Sequence, residues 1–452
     1  MSVLDSAVLR AHWLLRRKPS KVAFSRVDNV RQHFERVEST ISGKSIGIYV
    51  HIPYCRAICM FCPYFRVVLK SREELNAYLN AVLSELELYG RALRDLDLNV
   101  VEIHVGGGTP SLAPPAFYKR LLESLSEFFN VKTGIGIEVN PEDFRDYKLV
   151  EEYYASGVDE VSIGVQSFSE RVLKSLSRKH SPKDNVLAVE NSAKAGFKWI
   201  NVDLMFLTPS IKGYIEMSFE EKLKAFRRDL EESLELGVHQ ITFYPTIIPK
   251  QSPGYKLVEL KKLSQEVDLI DQFVEEALNF AEEYKLHLTR VYSLSRKPYE
   301  YATVNLEMIG PLIGLGASAW SNTGLYQYIN VHSVPEYVRL LREGRVPVVY
   351  ARGLSASSRV WRLFFDQLSS GVIREEVFRS LKLKIPLELK LLVKLMELSG
   401  LLEKASSGYK LTKRGVVEVY KSVINYVVEI PVKLTGVLAS LNSNRLPDKI
   451  TV

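Results

Sequence analysis

Residues 49–62 read Tyr49-Val-His-Ile-Pro-Tyr-Cys55-Arg-Ala-Ile-Cys59-Met-Phe-Cys62, a stretch that joins a short apolar run to three closely spaced cysteines. These are all the cysteines of the 452-residue chain. An odd, clustered set cannot form a disulfide framework, so a metal or redox site is the better interpretation. The run Ile46 to Ile52 has the length and the β-branched content of a buried strand. The stretch therefore predicts a site in the loop that follows a strand.

The cysteine spacing, C-x3-C-x2-C, is typical of a 4Fe-4S cluster. Three thiolates can bind three irons of a cubane and leave the fourth iron without a protein ligand. The alternative is a structural zinc site, which normally needs four protein ligands, and His51 is the candidate for the fourth. We expect His51 to serve packing instead, and we predict that Cys55, Cys59 and Cys62 hold the cluster.

Between about residues 46 and 250 the chain alternates short apolar runs with amphipathic segments. The runs are four to eight residues long and bounded by Gly, Pro or Asn, as expected of strands that are buried on both faces. The helical period is clear in 71–93, where one stripe holds Leu75, Leu79, Val82, Leu83 and Leu86. The predicted strands are Ile46 to Ile52, Val100 to Val105, Ile135 to Val139, Glu160 to Val165, Ile200 to Phe206 and Ile241 to Tyr244.

Six strand-helix units in succession predict parallel strands joined by right-handed crossovers. The pattern alone is compatible with a curved, barrel-like sheet and with an open, doubly wound one. In both architectures ligands bind at the carboxyl ends of the strands, which is where the motifs of this sequence fall.

Composition limits the class of protein. With 46% hydrophobic and 25% charged residues, the chain can bury a large core as a globular protein. A net charge of +7 is modest for this length and suits an anionic ligand; we expect no nucleic-acid partner. The basic run Arg16-Arg17-Lys18 lacks the apolar segment of a secretory signal, and no run reaches the length of a membrane span. We therefore expect a cytoplasmic protein.

After about residue 345 the pattern becomes mainly helical. Glu375 to Leu383 and Leu387 to Ser399 are predicted helices, and the stretch from Gly400 to Gly415 is a predicted short hairpin. This order is typical of a winged helix, a fold that often binds DNA. Lys390 and Lys394 give the second helix little positive charge, so we expect a helical cap on the barrel mouth.

Several motifs occur together in one order, and with them the sequence resembles the radical S-adenosylmethionine (SAM) superfamily. More narrowly it is similar to the group of oxygen-independent coproporphyrinogen III oxidase, the heme chaperone HemW and related enzymes. The resemblance covers about residues 46–322. The motifs are YVHIPYC, CMFC, HVGGGTPS, EVNP, GVDEVSIGVQSF, LSRKHS, NVDLMF and GLGASAWS.

The resemblance implies an α/β fold, namely a partial (β/α)6 TIM barrel of the radical SAM type with a mainly helical C-terminal domain. It divides the chain into a basic N-terminal segment at 1–40, the core barrel at 41–300, an extension containing GLGASAWS at 301–345 and the C-terminal domain at 346–452. The implied cofactors are a 4Fe-4S cluster and S-adenosylmethionine. In this superfamily one electron cleaves the cofactor to a 5'-deoxyadenosyl radical.

The resemblance also implies the residues that contact S-adenosylmethionine, and it assigns no catalytic side chain. Ile247 and Trp320 match the superfamily's contact positions less closely than the others, because the loop after Asp203 is longer than usual. The implied contacts are Tyr49, Phe61, Gly107, Gly108, Thr109, Glu138, Gln166, Arg178, Asp203, Ile247 and Trp320. His180 has two interpretations, as a group that binds a porphyrin propionate or as a solvated loop histidine.

The chain departs from its relatives directly after the cluster motif. The oxidases carry a further cysteine two residues after the third cluster cysteine, where this chain has Tyr64. The chaperone has an Asp-Phe pair directly after its third cysteine, where this chain has Pro63. The first hypothesis is an enzyme of porphyrin or heme metabolism that acts on a tetrapyrrole, with an electron donor such as flavodoxin or ferredoxin. A heme chaperone and a methyltransferase that binds two molecules of S-adenosylmethionine are the alternatives.

Overall fold

The computed structural model describes residues 22–41, 43–250, 252–261, 263–264, 266–298, 310–440 and 446–451. The basic run Arg16-Arg17-Lys18 and the start of the predicted extension, 301–309, lie outside the described residues.

The strands of the described chain are numbered in chain order. They are β1 (Ala23–Arg26), β2 (Ser45–Ile52), β3 (Tyr54–Cys55), β4 (Val67–Val68), β5 (Asn99–Gly107), β6 (Asn130–Val131), β7 (Ile135–Val139), β8 (Val158–Gln166), β9 (Trp199–Phe206), β10 (Ser210–Ile211), β11 (Gln240–Pro245), β12 (Leu263–Ser264), β13 (His287–Arg290), β14 (Ser293–Ser295), β15 (Leu312–Leu315), β16 (Trp320–Asn322), β17 (Tyr326–Asn330), β18 (Val348–Gly353), β19 (Val372–Arg374), β20 (Leu402–Ala405), β21 (Gly408–Leu411) and β22 (Lys449–Thr451).

A parallel sheet forms the centre of the molecule. Its strands lie in the order β11, β9, β8, β7, β5, β2, and each adjacent pair is parallel. These six strands coincide with the six predicted from the apolar runs. The resemblance to a partial (β/α)6 barrel is therefore confirmed for the central sheet. The sequence pattern did not predict that β15 extends this sheet, pairing parallel with β2.

Helices cover the sheet, and the one predicted most clearly runs from Arg72 to Leu93. It begins at Ser71, whose side chain accepts a hydrogen bond from Glu74 N, as an N-cap residue should. Its predicted apolar stripe is buried. The other α-helices are Val30–Thr40, Pro115–Phe128, Pro141–Phe144, Tyr147–Ala155, Glu170–Ser175, Pro182–Ala195, Phe219–Glu235, Tyr255–Glu259, Ile270–Tyr284, Val334–Arg342, Ala356–Ser369, Glu375–Ser380, Leu387–Leu398 and Lys413–Ser440.

Antiparallel strands continue the sheet beyond β15. The order β15, β16, β17, β18, β1, β22 brings an N-terminal strand between two strands from the C-terminal part of the chain. The predicted N-terminal segment 1–40 thus includes a strand that belongs to the main sheet. Residues more than three hundred positions apart in sequence form this edge, and no local pattern could have predicted the pairing.

The C-terminal region has the winged-helix order that the sequence indicated. The helices Glu375–Ser380 and Leu387–Leu398 are followed by the hairpin of β20 and β21, and β19 pairs with β21. Leu363 and Leu381 line a cavity with Ser45 and Pro311, which lie at the amino ends of β2 and β15. This part of the region therefore borders the amino ends of the strands, whereas Tyr420 packs on Phe206, the last residue of β9, and on Phe243 of β11.

One extensive core lies between the sheet and its helices, and it includes residues of the C-terminal region such as Phe364, Leu392 and Tyr420. Among the residues that the structure describes, we find no helix with the length and apolarity needed to cross a membrane.

Candidate functional site

The three cysteines lie in the loop that leaves β2 at the carboxyl end of the parallel sheet. Cys55 belongs to β3, which pairs with β4, so the two ends of the cysteine loop lie side by side. Cys62 N donates to Cys59 O at 3.4 Å within a turn, and the three thiols are near enough to influence one another electrostatically. Each cysteine is partly buried and forms no disulfide. The loop therefore presents three thiols to one region of the barrel mouth.

Arg178 joins the cysteine loop to the ends of two strands. Its Nη1 donates to Cys59 Sγ at 3.2 Å. Its Nη2 donates to Asn140 Oδ1 at 3.0 Å and to Gly164 O at 3.2 Å. Asn140 directly follows β7 and Gly164 lies in β8. The guanidinium is thus held by backbone and amide oxygens, which direct its charge toward the thiols.

The charges around the thiols fit a cluster bound there. The Nε atoms of Arg178 and Arg66 are buried and have no hydrogen-bond partner among the described residues. Both guanidinium groups act electrostatically on the cysteines. Burial raises the pKa of Cys62 to about 11, so that its thiolate requires a positive partner such as a metal. Two partly buried cations beside three thiols match a thiolate-ligated cluster with a bound carboxylate.

The zinc alternative fails on the fourth ligand. Both ring nitrogens of His51 have partners in the protein: Nδ1 lies 2.8 Å from Tyr49 Oη, and Nε2 lies 3.0 Å from Phe65 O. His51 therefore positions the loop, because Phe65 follows the third cysteine by three residues.

The glycines after β5 allow two chain segments to approach each other. A Cβ on Gly107, whose φ is +116°, would lie 2.7 Å from Cε1 of His51. A Cβ on Gly108 would lie 2.6 Å from Tyr54 O. Both distances are shorter than real Cβ contacts, so these positions need glycine. The glycine turn thus packs directly on the strand that leads to Cys55, and the Thr109 hydroxyl hydrogen-bonds to the Cys55 thiol.

Glu138 ends β7 inside the mouth. Its Oε2 accepts from Gly107 N at 3.1 Å, and its Oε1 lies 3.2 Å from His104 Nε2. The His104 ring stacks on Tyr49 with centroids 5.9 Å apart. The structure therefore brings three of the predicted contact residues into one connected group, Tyr49, Gly107 and Glu138, and Thr109 follows Gly107 by two residues.

Asp203 lies on β9, two strands from Glu138. Ser162 Oγ donates to its Oδ2 at 2.8 Å, and Asn201 Nδ2 donates to its Oδ1 at 3.1 Å. Burial, reinforced by the carboxylate of Glu138, raises the pKa of Asp203 to about 7. Two neighbouring carboxylates in a partly buried mouth provide acceptors for an ammonium group or for ribose hydroxyls.

Gln166 occupies the carboxyl end of β8 in a left-handed conformation with φ +64°. This conformation is uncommon for a residue other than glycine, and such strain is often found at functional sites. A Cβ on Gly164 would lie 3.0 Å from Gln166 Nε2 and 3.5 Å from Arg178 Nη2. Gln166 and Arg178 therefore share one side of the mouth.

The remaining predicted contacts lie at its margins. Phe61 packs between two small apolar clusters, next to Met60 and Met205. Ile247 is partly buried against the main core, beyond β11. The Trp320 ring meets that of Phe24 edge to face, with ring centroids 5.5 Å apart, in a separate apolar cluster. Their contacts with S-adenosylmethionine stay predictions.

The structure adds site residues that sequence reasoning missed. Asn140, Arg66 and His104 all contact the predicted group; Asn140 and His104 belong to motifs that were recognised, EVNP and HVGGGTPS. His180 is buried, with Nε2 3.1 Å from Val165 O and Nδ1 3.5 Å from Glu142 Oε2. The interpretation of His180 as a solvated loop residue is therefore wrong.

Comparison with known proteins agrees with this geometry. Residues 49–217 match the sequence model of the Radical SAM superfamily. Residues 49–217 form a radical SAM domain. The superfamily implies a 4Fe-4S cluster and S-adenosylmethionine as the cofactors of this domain, and the matched range contains the three cysteines, Glu138 and Asp203.

Relatives of two kinds are similar to the chain over most of its length. The heme chaperone HemW of Bacillus subtilis is 26% identical over 387 residues, which cover 81% of this chain and 95% of that protein. The oxygen-independent coproporphyrinogen III oxidase of Pseudomonas aeruginosa is 26% identical over 360 residues, or 73% of each chain. The solved structure of coproporphyrinogen III oxidase (HemN) from Escherichia coli superposes with a TM-score of 0.72 at 21% identity, covering 88% of this chain and 93% of that one. The chain thus shares its fold with HemN and is related to both groups.

Proposed function

We propose that this protein is a radical SAM enzyme that reductively cleaves S-adenosylmethionine and acts on a tetrapyrrole-type substrate. The observation that carries the proposal is the meeting of three thiols with the partly buried guanidinium groups of Arg66 and Arg178, whose Nε atoms are buried, at the carboxyl ends of the strands. In this proposal Cys55, Cys59 and Cys62 hold the cluster. When bound there, the cluster would supply the electron for the reductive cleavage of S-adenosylmethionine.

The residues of the mouth bind and orient the cofactor. Arg178 offers an unfilled Nε donor to a carboxylate, and Glu138 and Asp203 offer acceptors to the ammonium group and the ribose. Gln166 lies beside Arg178 at the adjoining strand end. Such fixed polar groups hold a reactant in one orientation without reorganising during the reaction.

The substrate class rests on the relatives and on the residues that follow the cluster. Tyr64 is 46% exposed and acts electrostatically on Tyr244, which in turn lies near Asp203. Aromatic rings at this position suit the face of a conjugated macrocycle. Tyr64 also replaces the cysteine that the coproporphyrinogen oxidases carry. A phenol cannot substitute for the redox chemistry of a thiol, so we expect a substrate or an outcome different from theirs.

Anaerobic turnover tests the proposal. Protein reconstituted with iron and sulfide would be reduced in the presence of S-adenosylmethionine and candidate tetrapyrroles, with the products identified by mass spectrometry. We expect 5'-deoxyadenosine, together with little or no conversion of coproporphyrinogen III to protoporphyrinogen IX. Absence of reductive cleavage with every tetrapyrrole would contradict the enzyme assignment. Efficient decarboxylation of coproporphyrinogen III by the wild-type protein would instead indicate a coproporphyrinogen III oxidase.

Substitution at Tyr64 separates the contribution of the ring from that of the missing thiol. Tyr64→Cys restores the oxidase pattern and is expected to gain decarboxylation if the thiol is what the site lacks. Tyr64→Phe keeps the ring and removes the hydroxyl, and serves as the matched control. A flavodoxin or a ferredoxin is the proposed electron donor, and a chemical reductant in parallel identifies a failure of electron delivery.

A heme chaperone is the second candidate, because the HemW of Bacillus subtilis aligns over 95% of its own length. In that case the protein would bind heme and transfer it without consuming S-adenosylmethionine. Heme transfer to an apoprotein acceptor, with no 5'-deoxyadenosine formed, would favour this candidate over the enzyme.

A further inference from the structure

The carboxylate of Asp203 is held by side chains from two strands. Ser162 on β8 and Asn201 on β9 both donate to it, at 2.8 Å and 3.1 Å. Asn201 Nδ2 also donates to Ser162 Oγ at 2.7 Å, which leaves the Ser162 hydrogen for the carboxylate. Ser162 is paired with Asn201 across the strands, and Asn201 and Asp203 lie two residues apart on one face. The three side chains thus form a closed group inside the barrel.

This group is the end of a longer chain of hydrogen bonds that reaches β11. Thr242 Oγ1 donates to Asn201 Oδ1 at 2.8 Å. Gln240 Nε2 donates to Thr242 Oγ1 at 3.3 Å, and Trp199 Nε1 donates to Gln240 Oε1 at 3.2 Å. Gln240, Thr242 and Asn201 are buried. No step of this chain depends on a surface side chain.

The indole of Trp199 sets the orientation of the Gln240 amide, and the Ser295 hydroxyl donates to the same Gln240 oxygen at 3.5 Å. An indole N–H can only donate, so the Gln240 oxygen must face it and the Gln240 amide nitrogen must face Thr242. The Thr242 oxygen then accepts, and its own hydrogen is directed to the Asn201 oxygen. The Asn201 nitrogen is left to face Asp203. All the donors therefore point toward Asp203, and such chains strengthen each member.

We infer that Thr242, Gln240 and Trp199 are positioning residues that orient the donors of Asp203 for binding S-adenosylmethionine. This inference rests on the proposed function, because it assumes that Asp203 contacts the cofactor. Without the Thr242 hydroxyl, the Asn201 oxygen loses its donor, and the amide is held by its own bonds to Ser162 and Asp203. A less firmly oriented amide donates less well to the carboxylate, whose charged form is then disfavoured.

The charged and titratable groups that face Asp203 define the expected pH dependence. Glu138 on β7 disfavours the charge of Asp203, His104 on β5 favours it, and Tyr244 on β11 carries a phenol close to it. Since burial already raises the pKa of Asp203, loss of a donor raises it further. Cofactor binding should therefore weaken most at low pH, where Asp203 is more fully protonated.

Thr242→Val tests the inference, because valine has the shape of threonine without its hydroxyl. Calorimetry of S-adenosylmethionine binding to cluster-loaded protein, at pH 6.5 and at pH 8.5, is the measurement. We expect affinity to fall by about 3- to 10-fold at the lower pH, the usual effect of one lost hydrogen bond, and by less at the higher pH. Trp199→Phe should shift the same profile in the same direction.

Thr323→Val is the matched control, since Thr323 is also buried and its hydroxyl also bonds to a carbonyl, that of Tyr326 at 3.2 Å. It should leave the pH profile unchanged. Cluster content and circular dichroism verify that each variant is folded. If Asp203→Asn weakens binding while Thr242→Val does not at either pH, the positioning role is refuted and the proposed function stands. If Asp203→Asn binds as wild type does, the assumed role of Asp203 falls and the inference falls with it.

Discussion

Replacing Glu85 tests how the helix Arg72–Leu93 holds the turn that follows β15. The Glu85 carboxylate is fully buried and accepts from Gly316 N at 2.8 Å, from Tyr337 Oη at 2.6 Å and from Asn330 Nδ2 at 2.7 Å. Gly316 lies directly against β2, the strand that leads to the cysteine loop, where a Cβ would come within 2.5 Å of His51 O. One side chain therefore connects an outer helix to the backbone beside the site.

The magnitude follows from counting the donors that lose their acceptor. Glu85→Ala leaves three buried donors, each of which costs about 1 to 3 kcal/mol when unpaired. Allowing for relaxation, we expect a loss of roughly 3 to 5 kcal/mol in the free energy of unfolding. Glu85→Gln keeps one oxygen for Gly316 and Tyr337, but its amide nitrogen faces the nitrogen of Asn330. Its cost should be about 1 to 2 kcal/mol.

The comparison also depends on pH. Burial raises the pKa of Glu85 to about 7, from 4.5 in the unfolded chain. The folded state therefore disfavours the charged form, and the stability of the wild type falls as pH rises from about 4.5 to about 7. This shift corresponds to about 3 kcal/mol. Glutamine does not titrate. The difference in unfolding free energy between wild type and Glu85→Gln should therefore be smaller at pH 8 than at pH 5.

Thermal midpoints from circular dichroism, measured without oxygen at both pH values, provide the assay. Glu87→Gln is the control on the same helix, because Glu87 is exposed and its ion pair with Arg91 contributes little. The expected order of midpoints at pH 5 is wild type, Glu85→Gln, then Glu85→Ala. A Glu85→Ala midpoint equal to that of the control, with no pH dependence in the difference between wild type and Glu85→Gln, would refute the reasoning.

Three further predictions concern the site. Wild-type protein should hold about four irons and four sulfides per chain, and Cys55→Ala should lose the cluster spectrum; a full cluster in this variant would exclude Cys55 as a ligand. Arg178→Gln removes a positive charge 3.2 Å from Cys59 Sγ and should lower the reduction potential of the cluster, measured by potentiometric titration, with Arg178→Lys as the control. Asp203→Ala and Gln166→Ala should each weaken S-adenosylmethionine binding by roughly 1 to 3 kcal/mol while keeping the cluster, and unchanged calorimetric affinity in both would move the cofactor elsewhere.

The repeating part of the fold was predictable because each of its elements is specified locally. A strand buried on both faces is a continuous apolar run, and the stripe from Leu75 to Leu86 has the period of a helix with one buried face. Ser71 supplies the N-cap that marks the helix start. These signals lie within a few residues of one another, so the sequence contains them directly.

The edges of the sheet were not predictable for the opposite reason. β1 is four residues long and has a single buried side chain, Phe24, so it carries no alternating pattern. Its two partners come from residues 348–353 and 449–451. The pairing is decided by tertiary packing, in which Phe24 joins Ile329 and Tyr350 in a separate apolar cluster.

The site likewise contains residues that local sequence identifies and residues that only tertiary contacts reveal. The cysteines, glycines and strand-end polar residues were identified by spacing and resemblance, and the structure places most of them around one mouth. The residues that hold them were missed, because their roles depend on contacts between distant segments. His51 reaches Phe65, and Asn140 reaches Arg178, only once β2, β7 and the cysteine loop are assembled.

The residues after the third cysteine indicate where relatives with one cofactor chemistry can differ in substrate. Phe65 is held from two sides: its carbonyl lies 3.0 Å from His51 Nε2, and its ring lies 4.1 Å from that of His332. Tyr64, by contrast, is 46% exposed. A change at Phe65 would disturb the segment that leads out of the cluster loop, whereas a change at Tyr64 alters what the mouth presents to a ligand. We therefore expect substitutions at Tyr64, more than those at Phe65, to change which ligand the mouth accepts without disturbing the cysteine loop.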